Sequence, residues 1–189
     1  MPELMQAGFD YEDVLGFWFE EVAPSDWFQG GATFDALVKE RLAEGYEAAA
    51  AGQLDEWKQS ADGCLALCIL LDQVPRNIFR GDPKSYATDA DARAVTHHAL
   101  AHGFDLQLES DDQRAFMYLP LEHSENLEDQ KKSVSLFDER TDSELYQDYA
   151  RRHLVVVERF GRFPHRNAIL GRTPTEEEAE WLAGRNTPF

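Results

Sequence analysis

Six arginines, at positions 151, 152, 159, 162, 166 and 172, share one short stretch with a single acid, Glu158. The whole chain carries a net charge of −18, so this stretch is a cationic island in an acidic molecule. Such an island either pairs with the protein's own carboxylates or receives an external anion, because a guanidinium fork matches the oxygens of a carboxylate or phosphate two at a time. A short turn at its centre, Phe163-Pro164-His165-Arg166-Asn167, repeats an earlier one, Val74-Pro75-Arg76-Asn77-Ile78-Phe79-Arg80-Gly81, with one residue inserted at His165. In each, a helix starting at proline would leave its first amides facing the neighbouring arginine, an arrangement that accepts anions. The alternative is that Arg76, Arg80, Arg159 and Arg166 are buried against acids such as Asp72, Glu122, Glu125 and Glu158 and lock helix corners together.

Histidine is the side chain suited to proton transfer near neutrality. His123 lies just past Pro120 and is flanked by Glu122 and Glu125, so a carboxylate could orient it as a general base; His165 ranks next. His153 falls in the stripe Tyr146, Tyr149, Ala150, His153, Leu154, Val157 and reads as a core histidine. His97, His98 and His102 sit on a solvated helix face. No metal site is expected: there is no H-E-x-x-H, and Glu122 with Glu125 lacks a second, histidine-bearing pair. A Ser–His nucleophile is excluded for Ser124 and His123, since neighbours on a helix point about 100° apart. The glycines form no phosphate-binding loop, and no cofactor is expected.

These residues must be positioned by helices. Phe34, Leu37, Val38, Leu42 and Tyr46 recur at helical spacing, with Thr33 expected as cap and Gly52 as end. A helix from Asp10 to about Glu21 carries Phe17, Trp18 and Phe19 consecutively and must be covered on several faces. Asp62 is expected to open a central helix, apolar on every side from Leu65 to Leu71, that stops by Val74 before Pro75. Further helices are expected over residues 89–102, 111–137 with an interruption at Pro120, and 141–160, with Gly103 and Gly161 as terminators. Thr173 and Pro174 are expected to open the last, which Gly184 ends. Nothing alternates as a strand does. The reading is a single all-helical domain, 1–189, 43% hydrophobic and 12% aromatic and hence rich enough to fold.

The acidic balance excludes nucleic acid and anionic membranes as principal partners, and nothing specifies an oligomeric state. Cys64 and Cys68, inside an apolar run, read as buried free thiols; with no secretory pattern in Met1–Gln6, a reducing, cytoplasmic setting is expected.

The phrases Val14-Leu15-Gly16-Phe17-Trp18-Phe19, Trp27-Phe28, Leu70-Leu71-Asp72-Gln73-Val74-Pro75-Arg76-Asn77, Tyr118-Leu119-Pro120-Leu121-Glu122-His123-Ser124-Glu125, Ser133-Val134-Ser135-Leu136-Phe137 and Arg159-Phe160-Gly161-Arg162-Phe163-Pro164-His165-Arg166-Asn167 closely resemble a bacterial family, domain of unknown function 924. The resemblance runs from about residue 12 to 183. It implies antiparallel helix pairs stacked in a tetratricopeptide-repeat-like right-handed superhelix, and it assigns no activity. Three readings follow. The first is a binding module whose groove, lined by Asp72, Gln73, Arg76, Asn77, Arg80, His123, Arg162, His165, Arg166 and Asn167, holds an anionic small molecule or acidic peptide. On this reading the two Pro-Arg-Asn corners share one pocket with Glu122, His123 or Glu125. The second is a cofactor-free hydrolase or transferase using His123 with Glu122 or Glu125. The third is a structural polar network with no ligand.

Overall fold

The computed structural model describes residues 10–184; the stretch Met1–Gln6 lies outside them. All regular structure among the described residues is helical, with no strand. No helix among them is long and apolar enough to cross a membrane. The described residues form two compact units, one running to residue 80 and including 84–108, the other of 81–83 and from 109 onward.

The first unit begins with α1, Tyr11–Gly16, opened by a capping box between Asp10 and Asp13. It widens directly into a π-helical turn, Phe17–Glu21. The Trp18 carbonyl in that turn accepts a hydrogen bond (2.9 Å) from the indole of Trp27 on α2, Pro24–Gln29. Helix α3, Ala32–Ala50, realises the clearest apolar period, burying Phe34, Val38, Leu42 and Tyr46. Its N-cap is Gly31 rather than Thr33. The central helix, α4, is Ala61–Cys68, capped by the Ser60 hydroxyl rather than by Asp62, and every residue from Gly63 to Val74 is buried. Cys64 and Cys68 are free buried thiols, and burial pushes the Cys64 thiol up to about 11.

This helix does not stop at Val74. It widens into a π turn, Ile69–Gln73, and continues as α5, Val74–Ile78, through Pro75. Proline has no amide to give the carbonyl four residues back. That carbonyl, Leu71, instead accepts the buried Thr88 hydroxyl at 2.6 Å. Helix α6, Asp89–Ala101, completes the unit, with Gly103 left-handed just beyond it.

In the second unit, α7, Asp111–Glu122, contains Pro120 within it, and the chain breaks three residues later, over 123–126. The expected helix 111–137 is therefore two. Asn126 caps the second, α8, Leu127–Arg140, by accepting from the Glu128 and Asp129 amides. Buried Gln130 on α8 turns back and donates to the Glu122 carbonyl (2.5 Å) and the Ser124 carbonyl (2.7 Å), satisfying groups that the end of α7 leaves without helical partners. Helix α9, Glu144–Phe160, ends where Gly161, at φ 68°, takes the left-handed conformation that turns the chain into the Arg162–Phe163 corner. Val156, Val157 and Phe163 pack with Phe160 and Trp181. Trp181 lies on α10, Glu176–Ala183, which a capping box between Thr175 and Glu178 opens, two residues beyond the expected Thr173.

Candidate functional site

In the first unit the Pro-Arg-Asn corner is spent on the protein's own acids. Asp72 faces inward, 1% exposed, and accepts from Gln73 at 2.6 Å. Arg76 stands 3.2 Å from the Asp72 carboxylate and forks onto both oxygens of Asp89 at 2.9 and 3.1 Å. Burial alone would lower the Arg76 pKa; the charges of Asp72 and Asp89 outweigh it, and the net direction is upward. Arg80 forks onto Asp35 at 2.6 and 2.8 Å, and Asn77 donates to the same carboxylate at 2.9 Å. Asp35 lies in the first turn of α3, where a negative charge also suits the helix dipole. Gly30, at φ 55°, makes room here: a Cβ on it would stand 2.9 Å from the Arg80 guanidinium.

Most of the cationic stretch in the second unit is likewise paired. Arg151 meets Asp138, Arg152 meets Asp148, and Arg159 meets Glu177. Arg162 grips Glu178 at 2.6 and 2.7 Å, and Asn167 reaches the same carboxylate at 3.3 Å. Arg172 forks onto Glu125 at 2.7 and 2.9 Å, and the Phe163 amide donates to Glu125 at 2.8 Å. Burial would raise Glu125; the hydrogen bonds from Arg172 and Phe163 outweigh it and hold the carboxyl below its ordinary value. Glu125 thus fastens the corner.

Around buried Phe163 the remaining groups gather. His153 and His165 rings lie 5.7 and 5.6 Å from it, the Arg166 guanidinium stands over it at 4.6 Å, and His123 lies 6.0 Å from His153. Arg166 donates to the His123 carbonyl at 3.0 Å. The Glu122 carboxylate is 3.1 Å from Nδ1 of His153, and the same nitrogen is 2.8 Å from the Tyr149 carbonyl. With two oxygens facing it, Nδ1 carries the proton and donates. Burial, and then the neighbouring His123, push His153 well below the ordinary histidine range; burial and Arg166 push His165 down to about 4. Both imidazoles are neutral at pH 7.

The structure therefore brings together Glu122, His123, His165 and Arg166 of the expected residues, and adds His153. The stripe on α9 correctly made His153 a buried side chain, but its carboxylate partner, 31 residues earlier, has no local signature. Glu122, His123 and His153 also offer ligand atoms that all lie within 4.8 Å of one another. These groups come from the end of α7 and the middle of α9, a juxtaposition with no local spacing signature.

Glu178 gives a pH-dependent expectation. Arg162, then the Thr175 amide, hold its carboxyl down to about 2, against an ordinary value of 4.5. A carboxylate whose pKa falls on folding stabilises the fold above its unfolded pKa and loses that contribution as pH falls toward its folded one. Between pH 5 and pH 2.5 Glu178 should lose about 1–2 kcal/mol, less than the full shift implies because Arg162 is partly exposed and screened by water. Urea titrations at the two pH values should show that difference in the wild type relative to Glu178→Gln; equal pH slopes in both would contradict it.

The fold and site define an all-helical protein with a buried histidine–carboxylate–arginine cluster at a helix corner. The family model described as "Bacterial protein of unknown function (DUF924)" matches residues 14–186, and the chain belongs to that family. A solved structure, the protein of unknown function ATU0120 from Agrobacterium tumefaciens, is similar at a TM-score of 0.86 and 42% identity, covering 91% of this chain and 96% of that one. No curated protein matches the chain.

Proposed function

We propose that the protein is a binding module for a small anion, either a phosphate- or carboxylate-bearing metabolite or the carboxylate of a peptide, held at the Phe163–Arg166 corner. The observation that carries this reading is the gathering of Arg166, His153 and His165 about the Phe163 ring, with His123 6.0 Å from His153. The neutral imidazole of His165 offers an N–H donor, and Arg166 supplies a fixed charge whose reach is long in a poorly solvated corner. The arginines of the first unit's corner, with Arg162 and Arg172, hold the framework.

A thermal-shift series with inorganic phosphate, succinate and a short acidic peptide tests this. A ligand at 100 times its Kd adds about 2.7 kcal/mol of stability. The shift should be lost in Arg166→Gln and retained in Arg159→Gln, whose partner Glu177 lies on the exposed surface. No shift with any of the three anions, or an equal shift in both variants, counts against the reading. One contact favours a second reading, a cofactor-free hydrolase or transferase: Glu122 orients His153, rather than His123, through Nδ1. Turnover of simple phosphate or carboxylate esters that fails in Glu122→Gln would support it.

A further inference from the structure

We infer that Glu122, His123 and His153 form a binding site for one divalent transition-metal ion of the zinc class. Two imidazoles and one carboxylate are a donor set used by zinc and by non-haem iron, and three protein ligands leave a position open for a small molecule.

The ligand atoms lie within 4.8 Å of one another. A tetrahedral ion with bonds of about 2.0–2.2 Å needs them about 3.4 Å apart. Closing a gap of that size therefore takes a movement of about 1.4 Å, and half-buried His123, just past the end of α7, is placed to make it.

The surroundings are those of a supported site. Nδ1 of His153 is 2.8 Å from the Tyr149 carbonyl and 3.1 Å from the Glu122 carboxylate; holding the ion through Nε2 keeps the Tyr149 contact on Nδ1 and requires Glu122 to exchange its contact with Nδ1 for the metal. Gln130 holds the Glu122 carbonyl and Arg166 holds the His123 carbonyl, so the backbone carrying both α7 ligands is fixed on two sides. Glu122 and His153 are 3% and 5% exposed, which excludes competing water.

The charge balance links metal to anion. A divalent ion on one carboxylate and two neutral imidazoles leaves a net positive centre beside Arg166. That arrangement disfavours the bare ion and favours the ion with an anion in its open position. This last step rests on the reading of the corner as an anion site; the metal site itself does not.

The test uses the full chain, stripped with a chelator and dialysed against zinc chloride in a non-coordinating buffer, with bound metal counted by elemental analysis. Wild type should retain one equivalent. His123→Gln and Glu122→Gln should each weaken retention at least tenfold. The double variant His98→Gln, His102→Gln should retain the metal, because that pair, a half-buried and an exposed histidine with rings 4.2 Å apart, is the competing site. Absence of retained zinc in wild type, or its loss only in the His98/His102 variant, overturns the inference. His123→Gln keeps the test open if Glu122→Gln fails to fold, since His123 is the least buried ligand. Inorganic phosphate added with and without zinc separates the two readings. Phosphate binding without any zinc binding overturns the metal site and leaves the anion site; zinc binding without phosphate does the reverse.

Discussion

Arg76→Ala should destabilise the protein by about 3–5 kcal/mol, the loss typical when one partner of a buried ion pair is removed. The residue stands between Asp72 and Asp89, and Asp72 is 1% exposed. Without the guanidinium, Asp72 keeps Gln73 as a donor but loses the cation 3.2 Å from its carboxylate, in a place where water cannot replace it. The Asp72 backbone carbonyl also loses the 2.5 Å hydrogen bond from Arg76. Urea denaturation of the variant measures the loss. Adding Asp72→Asn to it should recover part of the stability, because the double variant no longer buries an unpaired charge; a single variant within about 1 kcal/mol of wild type would show that the corner is not a structural clamp.

Gln130→Leu should cost about 2–4 kcal/mol, the scale of leaving two buried carbonyls without donors. Leucine preserves most of the volume, so the loss reports hydrogen bonds and not a cavity. The glutamine is completely buried, and its amide meets the Glu122 and Ser124 carbonyls at the close of α7. Those carbonyls frame His123, so the same change should loosen the histidine cluster and raise hydrogen exchange of the amides over 123–126. A Gln130→Leu protein with unchanged denaturation midpoint and unchanged exchange there would separate the glutamine from the site.

The all-helical class, the long helices α3, α6 and α9 and the Gly161 terminator are legible because each rests on a local signal, either a repeating apolar face or a residue that alone tolerates a left-handed turn. The errors cluster where a distant group settles the local question. Pro75 ends a helix in isolation, yet here the π turn and the Thr88 hydroxyl take up the carbonyl it leaves, so the helix runs on. Pro120 looked like the interruption, but the break falls where Asn126 can cap a new helix ahead of Glu128 and Asp129, a signal present in the sequence and outweighed by the proline. Thr175 and Glu178 spell a capping box that Thr173-Pro174 obscured. The candidate site follows the same rule. Residue types named His123, His165 and Arg166, while the pairing of Glu122 with His153 depends on how α9 lies beside α7, and helix register is not written in either segment alone.

The first corner's partners lie between Asp35 and Asp89, whereas the Glu125 carboxylate waits for the Phe163 amide and Arg172, 38 and 47 positions further on. During synthesis the two corners are therefore completed at different moments. The first can close as soon as α6 has emerged. The histidine corner has His123 and His153 already made but stays unfastened until residues 172 and 178 arrive, so a nascent chain exposes those imidazoles before it can hold them.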